Sequence, residues 1–496
     1  MKSYCYKLLV LCFSLISFSA LAQEIKVASI FGDHMVLQQG IAIPVWGTAQ
    51  AKQEIKIVFG GKSFETIADE NGKWLVKLPK MRANRIPQEL NIISKSDTLI
   101  LKNILIGEVW LASGQSNMQT KLSETNQAAE EIKQANYNQI RLFNVGLNIS
   151  HQPLTAVAGS WKVCNQTNAG GFSAAAYYFA KDLYQDQNVP VGIISASWGA
   201  TPVEAWTSGE SLIQHPDFKD SVLKYQKLEA NWELLYLNYL KEAELAKKAT
   251  PPAKAPVLPK EKNYPTALFN AMIAPLIPYE IKGVIWYQGE NNASRAAQYH
   301  SLFPLLIKDW RAKWQKDEMP FLFVQLANFR ARNVEPVFAD NWALLREAQT
   351  ATLKVPYTGM AVTIDIGDAK DIHPKNKKDV GKRLYLAAKA IAYGKSITYS
   401  GPIYANKTIK NNQVTLNFYH VGKGLTTKGE LKAFELAGAD KKFYWAKAKI
   451  VRNKIILTSD KVAQPVAVRY AWSSNPEANL YNKDGLPAVP FRTDDW

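Results

Sequence analysis

Apolar and polar residues alternate from Gln23 to about Lys102, in short runs set between turn signals. The runs are "HMVLQQG", "AIPVWGTA", "EIKIVFGGKSFETIADENGKWLVKLP" and "ELNIISKSDTLIL". A period of two marks strands with one buried face, and Gly60-Gly61 and Asn71-Gly72 carry hairpin-turn chemistry. The pattern predicts a small β-sandwich over residues 23–102. From about Asn103 to Ser400 the texture changes. Apolar runs, "EVWLAS", "VGIISAS", "IKGVIWYQ", "PFLFVQLA" and "GMAVTID", are separated by helical segments such as "SAAAYYFAKDLYQD" and "NWALLREAQTATLK". Strands spaced by helices predict an α/β domain, a parallel sheet with helices on both faces. Ligands of such sheets gather at the carboxyl ends of the strands. Between about 208 and 264 a charged helical stretch and "TPPAKAPVLPKEKNYP" read as an exposed excursion, because a Pro-Lys-Ala segment builds no core. From Gly401 alternation returns in "QVTLNFYH", "KIILTS" and "PVAVRYAW", predicting a second all-β module over 401–496.

The first 22 residues read differently. Lys2 and Lys7 precede an apolar stretch from Leu8 to Phe18, and Ala20-Leu21-Ala22 offers a small-residue cleavage site. The stretch is too short for a permanent span, so the expectation is export by a cleaved signal, to the periplasm or the medium, with no stable membrane insertion. Two of the three cysteines fall in this segment and only Cys164 remains in the mature chain, which excludes an intramolecular disulfide. The formal net charge is +17, but its lysines are scattered, as in the run "KNKKD" at 375–379. No zinc-finger spacing or RNP-like aromatic motif accompanies them, so the charge reads as solvated faces and nucleic acid is not an expected partner.

Four polar clusters follow apolar runs. In "GEVWLASGQSNMQT" the run ends at Ser113-Gly114 and presents Gln115, Ser116 and Asn117. A serine at a strand-to-helix turn lies near helix N–H groups that lack intrahelical partners, where an oxyanion would be stabilised; an N-cap serine needs the same local geometry. A nucleophilic serine requires a base. Of the six histidines, His373 stands out in "IDIGDAKDIHPKNKKDVG", after three aspartates, Asp365, Asp368 and Asp371, one of which could orient its ring. A calcium loop is the competing reading, but it lacks the required glycine and terminal glutamate spacing. "SASWGATPVEAW" places Gly199 where a bare backbone N–H can meet a substrate oxygen, and "WYQGENNAS" places Gln288, Gly289, Glu290, Asn291 and Asn292 at another strand end.

The chain order Ser, Gly, Asn, His resembles the SGNH hydrolase superfamily. More closely, the chain is similar to the bacterial sialate O-acetylesterases, carbohydrate esterases of that superfamily. The resemblance is carried by "GDHMVLQ", "GEVWLASGQSNM", "SWGATPVEAW", "WYQGENNA", "FVQLANF", "LREAQ", "GDAKDIHPKNK" and the closing "PFRTDDW", spread over nearly all the mature chain. It implies a flavodoxin-like SGNH sheet flanked by the two β modules, with Ser116 as nucleophile and His373 as base. It also implies oxyanion donors from the Ser116 and Gly199 N–H groups and an amide of the Gln288–Asn292 loop. In two places this chain departs from the superfamily. The position three before the histidine, usually the acid, is Lys370, so the acid is assigned to Asp371, two before, with Asp368 as its rival and a Ser–His dyad as the third option. In the third block Gly289 is followed by two asparagines, of which Asn292 matches the usual Gly-Glu-Ser-Asn run. The activity implied is removal of acetyl groups from carbohydrate without metal or organic cofactor. Acetylated sialic acid is the first substrate and acetylated plant polysaccharide the second. A glycan-binding protein with a lapsed site is the alternative of another class.

Overall fold

The computed structural model of the protein describes residues 24–95, 97–245, 255–257 and 261–496. The export segment read at 1–22 and part of the Pro-Lys-Ala stretch lie outside the described residues. The central element is strand β1 (Thr98–Gly114), 17 residues long and the spine of an eleven-stranded sheet. Around its second half lie β2 (Asn136–Asn144), β3 (Trp161–Asn165), β4 (Val191–Ser197), β5 (Gly283–Tyr287), β6 (Phe321–Val324) and β7 (Thr358–Ala361), in the order β3-β2-β4-β1-β5-β6-β7. All neighbours are parallel except β2 and β3. The sheet expected to be parallel is therefore mixed, and the reason is local. No helix intervenes between β2 and β3, and a strand that returns without a crossover returns antiparallel. From β1 the chain builds outward in both directions, so the end of β1 opens onto a topological switch point.

The first half of β1 belongs to the N-terminal β structure, pairing antiparallel with the strand Asn84–Ser94. One strand thus runs without a break through residues 102 and 103, where the hydrophobic pattern changes. Up to Lys102 its exposure varies; from Ile104 to Gly114 every residue is buried. Asn103 marks the change with φ 58°, a left-handed conformation that asparagine tolerates. Its amide donates to His34 Nδ1 at 2.7 Å and its Oδ1 accepts from Arg141 at 3.1 Å.

Helices cover both faces of the sheet. On one, α2 (Ala174–Gln187) and α6 (Lys377–Ile391) pack over Leu322, Val324, Ile285 and Tyr287. They meet closely at Gly381, where a Cβ would stand 2.5 Å from Tyr178 Cβ. On the other, α4 (Ala296–Trp314) and α5 (Asn341–Ala351) bury Tyr299, Phe303 and Trp342 against Trp286, Phe321 and Phe323. Between them in sequence, α3 (Lys219–Leu245) is a 27-residue helix within the excursion, with Leu234, Leu235 and Leu237 exposed. Among the described residues no helix is long and apolar enough to cross a membrane.

Residues from 401 onward form strands only, and they are bolted to the α/β part. The fully buried Arg346 on α5 donates to the carbonyls of Leu326 and Ala327 and also to those of Ser473 and Ser474, at 2.7–3.0 Å. Asn475 reaches further. Its Nδ2 donates to the Arg330 carbonyl (2.6 Å) and its Oδ1 accepts from Asn328, whose own Oδ1 holds the Gly367 N–H at 2.7 Å. The tail therefore grips the loop that leads to His373.

Candidate active site

Strand β1 ends because Gly114 ends it. Its φ of 137° suits glycine, and a Cβ there would lie 2.1 Å from the Tyr287 carbonyl oxygen. The chain then turns into the short helix α1 (Ser116–Gln119), with Gln115 at the N-cap position. Ser116 is not the cap. Its Oγ instead lies 2.9 Å from His373 Nε2, across 257 residues of sequence.

His373 sits in the loop after β7. Of the three aspartates before it, only Asp371 is beside the ring: Oδ1 is 3.7 Å from Nδ1, an ion-pair distance, and accepts the His373 backbone N–H at 2.8 Å. Asp368 turns back on its own loop and accepts the Lys370 and Asp371 N–H groups. Asp365 pairs with Arg383 at 2.6 and 2.9 Å.

The polar residues around Ser116 hold the other loops. Gln115 Oε1 accepts the N–H groups of Gly289 (3.4 Å) and Asn291 (3.3 Å). Asn117 Nδ2 donates to Glu290 Oε1 (2.5 Å) and to the carbonyl of Ile372 (3.0 Å), next to His373. Asn117 Oδ1 accepts from Lys377 Nζ at 2.5 Å. Gln119 Oε1 accepts the Gly199 N–H at 2.8 Å. Three amides in five residues together hold the loops after β4, β5 and β7, which is why this turn is polar beyond its serine.

Gly199 is beside Ser116; a Cβ on it would lie 3.2 Å from Ser116 Cβ. Its N–H holds the Gln119 carboxamide, and its carbonyl accepts from Lys262, whose ammonium also stands 5.8 Å from the Trp198 ring. Gln288 and Asn292 are fully buried and bonded to each other at 2.7 Å. Gln288 also donates to the Thr201 carbonyl and accepts from Tyr299, while Asn292 accepts the Val203 N–H and donates to Glu204. These two amides, read from the sequence as oxyanion donors, bracket the Gly199–Trp206 stretch to the loop after β5. Gly289 joins the site through its N–H bond to Gln115.

A cavity of about 450 Å³ opens beside Ser116 and His373, with Gln119, Lys121, Glu124 and Lys375 at its rim. Behind the serine the environment is the opposite. Lys377 is fully buried as the first residue of α6, and its ammonium lies 5.2 Å from the Tyr287 ring centre. Burial lowers its pKa to about 7, against the pull of Glu290 and Asp371. Burial likewise raises the Glu290 carboxyl, against its backbone bond, the bond from Asn117 and the charges of Lys377 and His373. Glu290 Oε2 is shielded from solvent and has no hydrogen-bond partner among the described residues. Lys377 belongs to the "KNKKD" run expected to be solvated; the structure corrects that for this residue, because α6 turns it inward against β5. Nothing in a run of lysines marks the one that faces the core.

Residues 106–248 and 256–391 match the family described as carbohydrate esterase, sialic acid-specific acetylesterase. The sialate O-acetylesterases of mouse and human are each 30% identical to this chain, covering 94% of it and 94% and 92% of their own lengths. The crystal structure of a carbohydrate acetylesterase from Xanthomonas citri superposes with a TM-score of 0.84 at 38% identity, over 95% of this chain and all of that one. With 94% of its sequence matched and its architecture shared, the chain belongs to the sialic acid-specific acetylesterase family of carbohydrate esterases.

Proposed function

We propose that the protein is an exported serine esterase that removes O-acetyl groups from carbohydrate, with O-acetylated sialic acid as its substrate. The observation that carries this reading is the 2.9 Å contact between Ser116 Oγ and His373 Nε2 beside an open cavity. The distance suits proton transfer. With Nδ1–H directed at Asp371, Nε2 is free to take the serine proton, and Asp371 offsets the charge of the imidazolium that forms. Ser116 Oγ attacks the acetyl carbonyl, and the tetrahedral intermediate collapses as His373 returns the proton to the departing sugar oxygen. Water then attacks the acetyl-serine with His373 as base, releasing acetate and restoring Ser116.

The Ser116 and Gly199 N–H groups flank the reacting carbon and are the oxyanion donors of this reading. Gly199 gives up its bond to Gln119 when substrate enters. Gln288 and Asn292 act through the bracket they build, since their amides are already engaged. Lys121 and Lys375 at the rim suit a sugar carboxylate. The 38% identity to an enzyme named only as a carbohydrate acetylesterase supports acetylated polysaccharide as the second reading. Acetate release from acetylated sialic acids, acetylated xylan and aryl acetates separates the two. Release from xylan with none from sialosides would replace the first substrate by the second, and release from neither while aryl acetates turn over would reject both.

A further inference from the structure

Lys377 is an expensive residue to keep. Burial opposes its charge, and so does its place in the first turn of α6, where the helix dipole is positive. An apolar side chain would fill the space at lower cost. What Lys377 does there is hold Asn117 Oδ1, while the other end of the same amide holds Glu290 and the Ile372 carbonyl. Asn117 is bonded covalently to Ser116, and Ile372 to His373. The amide therefore spans the backbone of both reacting residues.

We propose that Asn117, Lys377 and Glu290 are positioning residues of the esterase, a buried clasp behind the serine that sets Ser116 against His373. The proposal rests on the reading of Ser116 and His373 as nucleophile and base. The partners at the two ends of the Asn117 amide fix its orientation. Lys377 only donates and must face Oδ1; the Glu290 carboxylate accepts and must face Nδ2. An amide held this way cannot flip. The Ile372 carbonyl is kept at 3.0 Å, and the histidine loop with it. The substrate cavity lies on the other side of Ser116, so the clasp acts on the geometry of the reacting pair and not on the sugar.

A displacement of about 1 Å in a reacting pair costs on the order of a hundredfold in rate. In the full-length protein, Asn117→Ala is expected to lower kcat by about that factor and leave KM within about threefold. The factor should be the same for an aryl acetate as for an acetylated sialoside, because the aryl ester uses no sugar contact. Lys377→Met should lose kcat in the same way. Glu290→Gln, which keeps a carbonyl oxygen for Asn117, should retain most of the turnover that Glu290→Leu loses. Thermal unfolding of each variant shows whether it is folded, and if Asn117→Ala is not, the Lys377→Met and Glu290→Gln/Leu comparisons decide. Wild-type kcat in folded Asn117→Ala or Lys377→Met overturns the clasp, as does a raised KM with kcat intact. Ser116→Ala run alongside separates the two readings. If it stays active, the serine mechanism falls and the clasp with it; if it is inactive while the clasp variants are normal, only the clasp falls.

Discussion

The two sides of the Ser116 turn are built from similar residues and do opposite things with them. In front, His373 and Asp371 each leave nearly half their side chain in solvent, and Nδ1 of the ring is 3.7 Å from the carboxylate. Behind, Lys377, Asn117 and Glu290 present an equally charged set at hydrogen-bond distance, with the lysine wholly enclosed. A charge pair in high dielectric is worth little and can rearrange, whereas a buried one is costly to form and costly to break. The front is thus open to solvent and to the cavity. The back is rigid.

The first way to break this contrast is at the serine. Ser116→Ala should remove several orders of magnitude of acetate release while leaving the unfolding midpoint near wild type, since the front carries little of the stability. Acetate-release kinetics on the purified variant check it. Asp371→Asn comes next, with a fall in kcat on the order of tenfold to a thousandfold, less than a fully buried triad acid gives because this carboxylate is solvated. Asp368→Asn should disturb only its own loop. The reverse order would move the acid to Asp368, and no effect from either would leave a dyad.

Asn292→Ala tests the bracket. It strips partners from Val203, Gln288 and Glu204 in a buried site, and should cost about 2–3 kcal/mol of stability in urea unfolding. If Asn292 instead served the oxyanion, kcat would fall by about a hundred- to a thousandfold with stability intact.

The smallest effect is in pH. Lys377 has a folded pKa of about 7, below that of an unfolded lysine, so the unfolded chain binds more protons between those values. The penalty for charging this group is present in full below pH 7 and is relieved as pH rises towards the unfolded value. The stability of wild type relative to Lys377→Met should therefore climb from pH 7 to pH 9, by at most about 1.4 kcal/mol per pH unit. Denaturant unfolding at several pH values reads it, and a flat difference would mean that Lys377 keeps its proton throughout.

The front of the site was more legible in the sequence than the back. Ser116 and His373 each follow an apolar run that can only be a buried strand, and residues at such ends share one crevice once the sheet forms. That inference needs no side-chain detail. Lys377 needs all of it. Its direction depends on which face of α6 meets β5, and a run of five charged or amide residues has no apolar periodicity to say so. Asn117 and Gln119 stand in a polar turn of the sequence, but their partners lie 80 to 260 residues away. The antiparallel β3 was hidden for a different reason, because a fold class says nothing about one connection that lacks its helix. The apolar and polar pattern changes near residue 103, yet the backbone passes through that point inside a single strand.

The bonds from Ser473, Ser474 and Asn475 into the α/β part bear on how little of this chain can be kept. Arg346 draws four of its carbonyl partners from both sides of residue 400, and the path Asn475–Asn328–Gly367 ends in the loop that leads to His373. The span that matches the family stops at residue 391, but cutting there would leave a buried guanidinium facing empty space and a histidine loop with one anchor gone. For anyone trimming the protein for crystallisation or display, a cut after residue 391 removes partners of both Arg346 and Asn328. The last hundred residues are a keystone of the site, not an appendage.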